Sequence, residues 1–237
     1  MKVLKKNELL DIILDFRARD SYRKIVINDY CIEDMSLEKM DLSNIDFSWS
    51  DIRNVSFRGS ILQSCIFDNT LFIDTDFSYS DLRGSSFAGS NLRKCILYSC
   101  DARGVNFYTS LLEGANLEKI ITDESTQYFR LRCPESGYFK GYKKCFNQRM
   151  VTLLIPKDAG RSSATSDTCR CSKARVLEIS NLDRTQFYTE AYSYVDSNFV
   201  YRLGEMAVAS SYNEDRWSDS TGGIHFYMTW DEAAGYM

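Results

Sequence analysis

From Ile27 to Leu117 a bulky apolar residue returns at nearly every fifth position, nineteen positions in unbroken register, through Ile32, Leu37, Leu42, Phe47 and on to Leu112. Only Ala102 in that series is small. From Val55 onward a compact side chain stands two residues before each member, as at Ser60, Cys65, Thr70, Thr75, Cys95 and Ser110. A period of five fits neither the 3.6 of a helix nor the 2.0 of a strand. A short fixed period instead marks one step of a coil, stacked so that neighbouring steps bury a core that no single step could bury.

The blocks Ser80-Asp81-Leu82-Arg83-Gly84, Ser90-Asn91-Leu92-Arg93-Lys94 and Ala115-Asn116-Leu117 resemble the A(D/N)Lxx unit of pentapeptide-repeat proteins. That resemblance implies a right-handed, four-sided β-helix with four pentapeptides per turn and both the bulky and the compact residue pointing inward. At the usual strand spacing, nearly five turns would stack to roughly 23 Å. The expected fold class is mainly β: a capping helix over residues 1–20, the β-helix over 21–121, a polar join over 122–132, and a small β-rich (α+β) domain over 133–237.

The chain has 237 residues, 44% of them hydrophobic, and two prolines, which suits one or two domains. No apolar run approaches the ~20 residues of a membrane span, and the start Met1-Lys2-Val3-Leu4-Lys5-Lys6 is unlike a secretory signal. A cytosolic location follows as the expectation. Of eight cysteines, Cys31, Cys65, Cys95 and Cys100 belong to the repeat, and the last three fill its small inward slot. Reduced core thiols are expected rather than disulfides. Residues 7–20 suggest a helix with Asn7 as N-cap and a broad apolar surface of Leu9, Leu10, Ile12, Ile13, Leu14 and Phe16. It is expected to close the open coil end, with a dimerisation surface, and so a homodimer or higher oligomer, as the alternative.

Residues 21–120 hold fourteen acidic and ten basic side chains, a net charge of −4, so no basic patch points to phosphate-backbone binding. Some pentapeptide-repeat proteins mimic duplex DNA and bind gyrase. Here Asp41, Ile61, Asp81 and Asp101 would stack in one column, with Gln63, Arg83 and Arg103 beside it. Arginines two residues from the aspartates neutralise the single-sign field that mimicry needs, which leaves DNA mimicry as an alternative and a rigid scaffold as the preferred role.

Beyond Ile121 the period dissolves. Short branched and aromatic runs at 150–155, 174–179, 191–195, 199–201, 206–208 and 223–227 predict strands, and Thr229 with Glu232 three residues on predicts a closing capped helix. Cys133-Pro134-Glu135, Gly141-Tyr142-Lys143-Lys144-Cys145, Arg161-Ser162-Ser163-Ala164-Thr165, Lys173-Ala174-Arg175-Val176-Leu177, Arg216-Trp217 and Gly223-Ile224-His225-Phe226 resemble a domain of unknown function that follows pentapeptide repeats in bacteriophage proteins. The resemblance implies a phage or prophage origin and no activity. In that family a cysteine often precedes the Gly-Ile-His-Phe block, where this chain has Ser220.

His225 is the sole histidine, and any Cys-His or Ser-His chemistry would have to use it, with Ser163, Cys169 or Ser220 as partner. No elbow motif or spaced acid marks a nucleophile, so no catalytic residue is assigned. Cys133, Cys145, Cys169, Cys171 and His225 invite a zinc reading, but their spacing differs from a zinc knuckle. No metal or cofactor is assigned. The polar stretch 157–173 is expected to be a solvated loop. If a small anion such as a nucleotide binds, Arg161, Ser162, Ser163, Arg170, Lys173 and His225 are the candidate ligand-binding residues. The expected function is a phage-type, non-enzymatic binding protein acting on a host protein of defence or nucleic-acid processing in the bacterial cytoplasm. The alternatives are sequestration of a small anion, a gyrase-directed mimic, and a His225-dependent enzyme.

Overall fold

The computed structural model describes residues 1–19, 23–196, 198–218 and 220–236. Its contacts divide the chain into two compact units, Met1–Phe129 and Arg130–Met237.

In the first unit the five-residue period becomes a coil. Bridges join Asp41 to Ile61, Ile61 to Asp81, Asp81 to Asp101 and Asp101 to Ile121, a rise of twenty residues per turn. The expected column of stacked residues is therefore present. Ile27, Leu37, Phe47, Phe57, Phe67, Phe77 and Phe87 are buried to 1% exposure or less. Along one face Phe47, Phe67 and Phe87 stack with ring centroids 5.3 and 4.8 Å apart. Strands long enough to name are few: β1 (Lys2–Leu4), β2 (Ile25–Val26), β3 (Tyr30–Ser36), β4 (Ile45–Asp46), β5 (Asp51–Ser56) and β6 (Leu71–Ile73). They are short because the backbone turns a corner at every step. The residue two places after each bulky centre, from Asp29 to Lys119, has φ between 47° and 71°.

The compact slot is also explained by chemistry. Thr70 donates its hydroxyl to the Phe47 carbonyl at 3.0 Å, Ser110 to the Phe87 carbonyl at 2.8 Å, and Cys65 its thiol to the Leu42 carbonyl at 3.1 Å. Small size lets the residue point inward, and its polar hydrogen satisfies a carbonyl of the turn before. Burial pushes the Cys65, Cys95 and Cys100 thiols up to about 12, and all eight cysteines are free thiols.

Helix α1 (Lys6–Arg19) follows β1, which adds in parallel to β3. Leu4, Leu9 and Ile13 are buried, whereas Ile12 and Leu14 face solvent. Arg17 reaches the Asp41 carbonyl at 2.8 Å and pairs with its carboxylate at 3.4 Å. Asn7 is not the N-cap. The helix starts one residue earlier, and the Glu8 carboxylate accepts from the Lys5 N–H at 3.1 Å. Asp20, the expected last helical residue, lies outside the described residues. The coil continues beyond Ile121: Asn106 bridges Gln127, twenty-one residues on, and the Thr126 hydroxyl donates to the Ala102 carbonyl at 3.0 Å.

The second unit is β-rich. Strands β7 (Phe139–Cys145), β8 (Arg149–Ile155), β11 (Lys173–Ser180) and β14 (Met206–Val208) form an antiparallel sheet in the order β14-β11-β8-β7. Strands β9 (Arg161–Ser163), β10 (Cys169–Cys171) and β15 (Ile224–Phe226) form a second, in the order β15-β10-β9, and β12 (Glu190–Tyr192) pairs with β13 (Val200–Arg202). Val151, Leu153, Ile155, Val176, Ile179, Tyr201 and Phe226 fill the core. Helix α2 (Trp230–Gly235) carries the expected capping box between Thr229 and Glu232.

One expectation is corrected. Residues 157–173 are not a solvated loop, because they contain β9 and β10, with Ser162, Ser163, Thr165, Cys169, Arg170 and Cys171 buried. Polar side chains can enter this core because nearby backbone groups satisfy most of them.

Candidate functional site

The β9, β10 and β15 register sets Ser162 opposite Arg170 and Arg170 opposite His225, so the three share one face of their sheet. The sequence candidates thus meet in space, but most of them are structural. The Arg170 guanidinium is buried and donates to the carbonyls of Asn213, Gly222 and Asp215 at 3.3, 3.2 and 3.0 Å. Arg161 directs its donors to the carbonyls of Gly137 and Pro156 at 3.0 and 2.6 Å, with weaker ones to Pro134 and Ala159. Lys173 pairs with Asp158 at 2.7 Å. The Ser163 hydroxyl accepts from the Arg132 N–H at 2.9 Å, while the buried Ser162 hydroxyl has no hydrogen-bond partner among the described residues.

His225 alone of the six lines a cavity of about 680 Å³ in this unit. That volume lies within the range of small-molecule sites. The 220 Å³ crevice beside Arg17 and Asp41 in the first unit is smaller. Ser193, Tyr201, Ser211, Thr221 and Tyr227 are among the residues that line the cavity, Lys143 and Lys144 are its cations, and Asp196 is its acidic residue. The Gly222-Gly223 backbone forms part of that wall. A Cβ at Gly222 would come within 2.3 Å of the Ser211 hydroxyl oxygen, and Gly223 has φ +141°, so this turn needs glycine. Arg170 holds it in place through the Gly222 carbonyl.

Lys143 is the residue that the sequence argument missed. It is 9% exposed, between Gly141 and Cys145 on the inward side of β7, and its ammonium donates to the His225 carbonyl at 3.1 Å. A signal was present: Gly141, Lys143 and Cys145 alternate along one strand, and a lysine in an inward register is unusual. Burial lowers the Lys143 pKa. Burial, then the nearby Lys143 and Arg170 charges, press the His225 imidazole down to about 4, so it is neutral at pH 7. Burial raises the Tyr201 phenol well above its ordinary value.

The thiols do not gather around a metal. Cys133 and Cys169 hydrogen-bond each other, which lowers the first and raises the second. Burial pushes Cys145 and Cys171 up to about 12. Among the described residues, no three of His, Cys, Asp and Glu converge as metal ligands. Among the described residues, none hydrogen-bonds the His225 ring.

On the coil, the expected arginine pairing is present. Arg83 bonds both oxygens of Asp81 at 2.9 and 2.7 Å, and Arg103 those of Asp101 at 2.9 and 2.6 Å. The Arg83 hydrogen bonds lower the Asp81 carboxyl to about 2.

Comparison with known proteins gives the two units separate relatives. Residues 41–78 and 70–108 match pentapeptide repeats, and residues 129–233 match a family of unknown function, DUF5758. Similar solved structures include a pentapeptide repeat protein from the Arabidopsis thaliana thylakoid lumen, at 22% identity over 42% of this chain and 66% of that one, with a TM-score of 0.35. HetL of the cyanobacterium Nostoc sp. strain PCC 7120, involved in heterocyst differentiation regulation, matches at 20% identity over 42% and 45%, TM-score 0.35. QnrB1, a plasmid-mediated fluoroquinolone resistance protein, matches at 16% over 43% and 51%, TM-score 0.37. The chain therefore spans between 45% and 66% of the length of these three proteins. No curated protein matches the chain. Among the described residues, no helix is long and apolar enough to cross a membrane. The chain is thus a pentapeptide-repeat coil followed by a region of the DUF5758 family.

Proposed function

We propose that this is a non-enzymatic binding protein, with the coil as a rigid scaffold and the C-terminal unit as the recognising module. The observation that carries this reading is the cavity beside Lys143 and His225, large enough for a ligand and, among the described residues, without a nucleophile hydrogen-bonded to the imidazole. The coil offers a filled core and acidic side chains that are paired with arginines, as at Asp81 and Asp101. Such pairing supports a scaffold and counts against DNA mimicry, because paired carboxylates weaken a single-sign field. A His225-dependent enzyme finds no support in the ring's hydrogen bonding, which among the described residues includes no polar partner. The resemblance of residues 133–237 to a phage domain supports a host protein as partner, met in the bacterial cytoplasm. The cavity's size and cations favour a second reading, in which the C-terminal unit holds a small anionic ligand.

Full-length protein is to be equilibrated with bacterial extract, washed and denatured, and the released proteins and small molecules identified. The expected result is one species held in stoichiometric amount and chemically unchanged after prolonged incubation. A product that accumulates with time would overturn the non-enzymatic reading.

A further inference from the structure

We propose that the cavity of the C-terminal unit binds a small phosphate-bearing molecule of nucleotide size, held by the Lys143 ammonium. This deepens the small-ligand reading and depends on it. Lys143 is nine-tenths buried, yet its hydrogen-bond partner is a neutral carbonyl, that of His225. Among the described residues no carboxylate lies within ion-pair distance of it. A buried cation without a counter-anion lowers stability, and an anion entering the cavity would offset that penalty.

The surroundings favour phosphate over carboxylate. The hydroxyl-bearing residues Ser193, Ser211 and Thr221 line the same cavity, together with Gly222 and Gly223, and its two lysines outnumber its one acidic residue, Asp196. A phosphate ester presents three strong acceptor oxygens to such donors. Lys144, whose ammonium donates to the carbonyls of Ala234 and Tyr236 at 3.1 and 2.9 Å, adds positive potential at the wall. Tyr227, which is partly exposed, supplies aromatic surface for the remainder of the ligand. His225, neutral at pH 7, offers a ring N–H without adding charge. The proposed anion site is therefore centred on Lys143 rather than on Arg161 or Arg170, whose guanidiniums hold backbone carbonyls.

The test is calorimetric titration of the full chain at pH 7.5 with inorganic phosphate, pyrophosphate, the four ribonucleoside 5′-monophosphates, the matching nucleosides, and citrate as a carboxylate control. At least one phosphate compound is expected to bind one per chain and to raise the melting temperature, with its nucleoside and citrate inert. Lys143→Met should weaken binding by about 30-fold or more, as expected when one partner of a buried charge pair is removed. It should also raise the melting temperature of the free protein, since the unpaired charge is gone. Lys173→Met should leave binding unchanged. His225 is the sole histidine, so its imidazole resonance reports the cavity in the unmodified chain, and ligand is expected to shift it even if Lys143→Met does not fold. The proposal is overturned if no phosphate compound binds, if nucleoside or citrate binds equally well, if Lys143→Met binds unchanged, or if the His225 signal stays still at saturation. A phosphate-free species recovered from extract would sink this proposal and leave the broader binding reading standing.

Discussion

The two units solve the problem of polar atoms in a core by different means. In the coil one local rule recurs: a small hydroxyl or thiol two places before the bulky centre reaches a carbonyl, either in the turn before, as Thr70 reaches Phe47 and Ser110 reaches Phe87, or three residues back, as Ser80 reaches Phe77. In the C-terminal unit the buried charged groups are held by individual, distant partners, while the hydroxyls of Thr152, Ser162 and Ser180 find none among the described residues. Arg170 reaches carbonyls at Asn213, Asp215 and Gly222, and Lys143 reaches His225 across eighty-two residues of sequence. Among the described residues, the repeated local rule leaves no buried side-chain oxygen or nitrogen of the coil unmatched, and it also leaves little room for a ligand. Individual long-range pairings can leave one charge incompletely matched, and Lys143 is that charge.

The largest expected effect tests the coil. Phe67 packs between Phe47 and Phe87, so Phe67→Ala should cost about 3–5 kcal/mol in denaturant unfolding. If the units melt separately, the C-terminal transition should stay in place. An unchanged midpoint for the coil would break the contrast between a packed scaffold and an open recognition unit.

Next is Arg170→Ala, which strips a charged donor from three carbonyls and should cost about 3 kcal/mol. Because Gly222 then loses its anchor, the cavity wall should loosen, seen as faster amide exchange at residues 211–223. A loss of stability without that faster exchange would remove Arg170 from its role in shaping the site.

His225 gives a pH test. Its folded-state pKa, about 4, lies below the 6.5 of an unperturbed histidine, so its contribution is fully present above pH 6.5 and is lost as pH falls toward 4. By pH 5 the protein should have lost about 2 kcal/mol through this group alone. His225→Gln should flatten that limb of the stability curve, and an identical acid limb in the variant would show that other groups carry it.

The smallest effect belongs to the coil surface. Arg83→Ala breaks a solvent-exposed pair with Asp81 and should cost less than about 1 kcal/mol. A larger loss would mean that the arginine column supports the coil rather than only neutralising it.

Much of this was legible in the sequence, and the limits follow physical lines. The coil's register, its column of stacked aspartates and its arginine neighbours follow from a period of five, because each contact repeats at a fixed separation. Strands β8, β11 and β14 were legible as apolar runs, and α2 from its capping pair. Strands β9 and β10 were hidden because their residues are polar and their partners lie far away in sequence. For the same reason Arg161 and Arg170, read as anion ligands from composition, turn out to hold backbone carbonyls. Lys143 stands in the Gly141–Cys145 motif, but its place in a cavity follows only from the setting of β7 against β15.

The sequence by itself determined the repeat, its bulky and compact inward positions, its surface charge pairing and the presence of a separate β-rich unit, since periodic and local contacts are written into residue spacing. The tertiary structure alone decided which polar residues of that second unit are buried, which of them satisfy one another, and where a cavity remains. Those outcomes depend on strand pairings between distant segments, and the spacing of residues along the chain does not specify them.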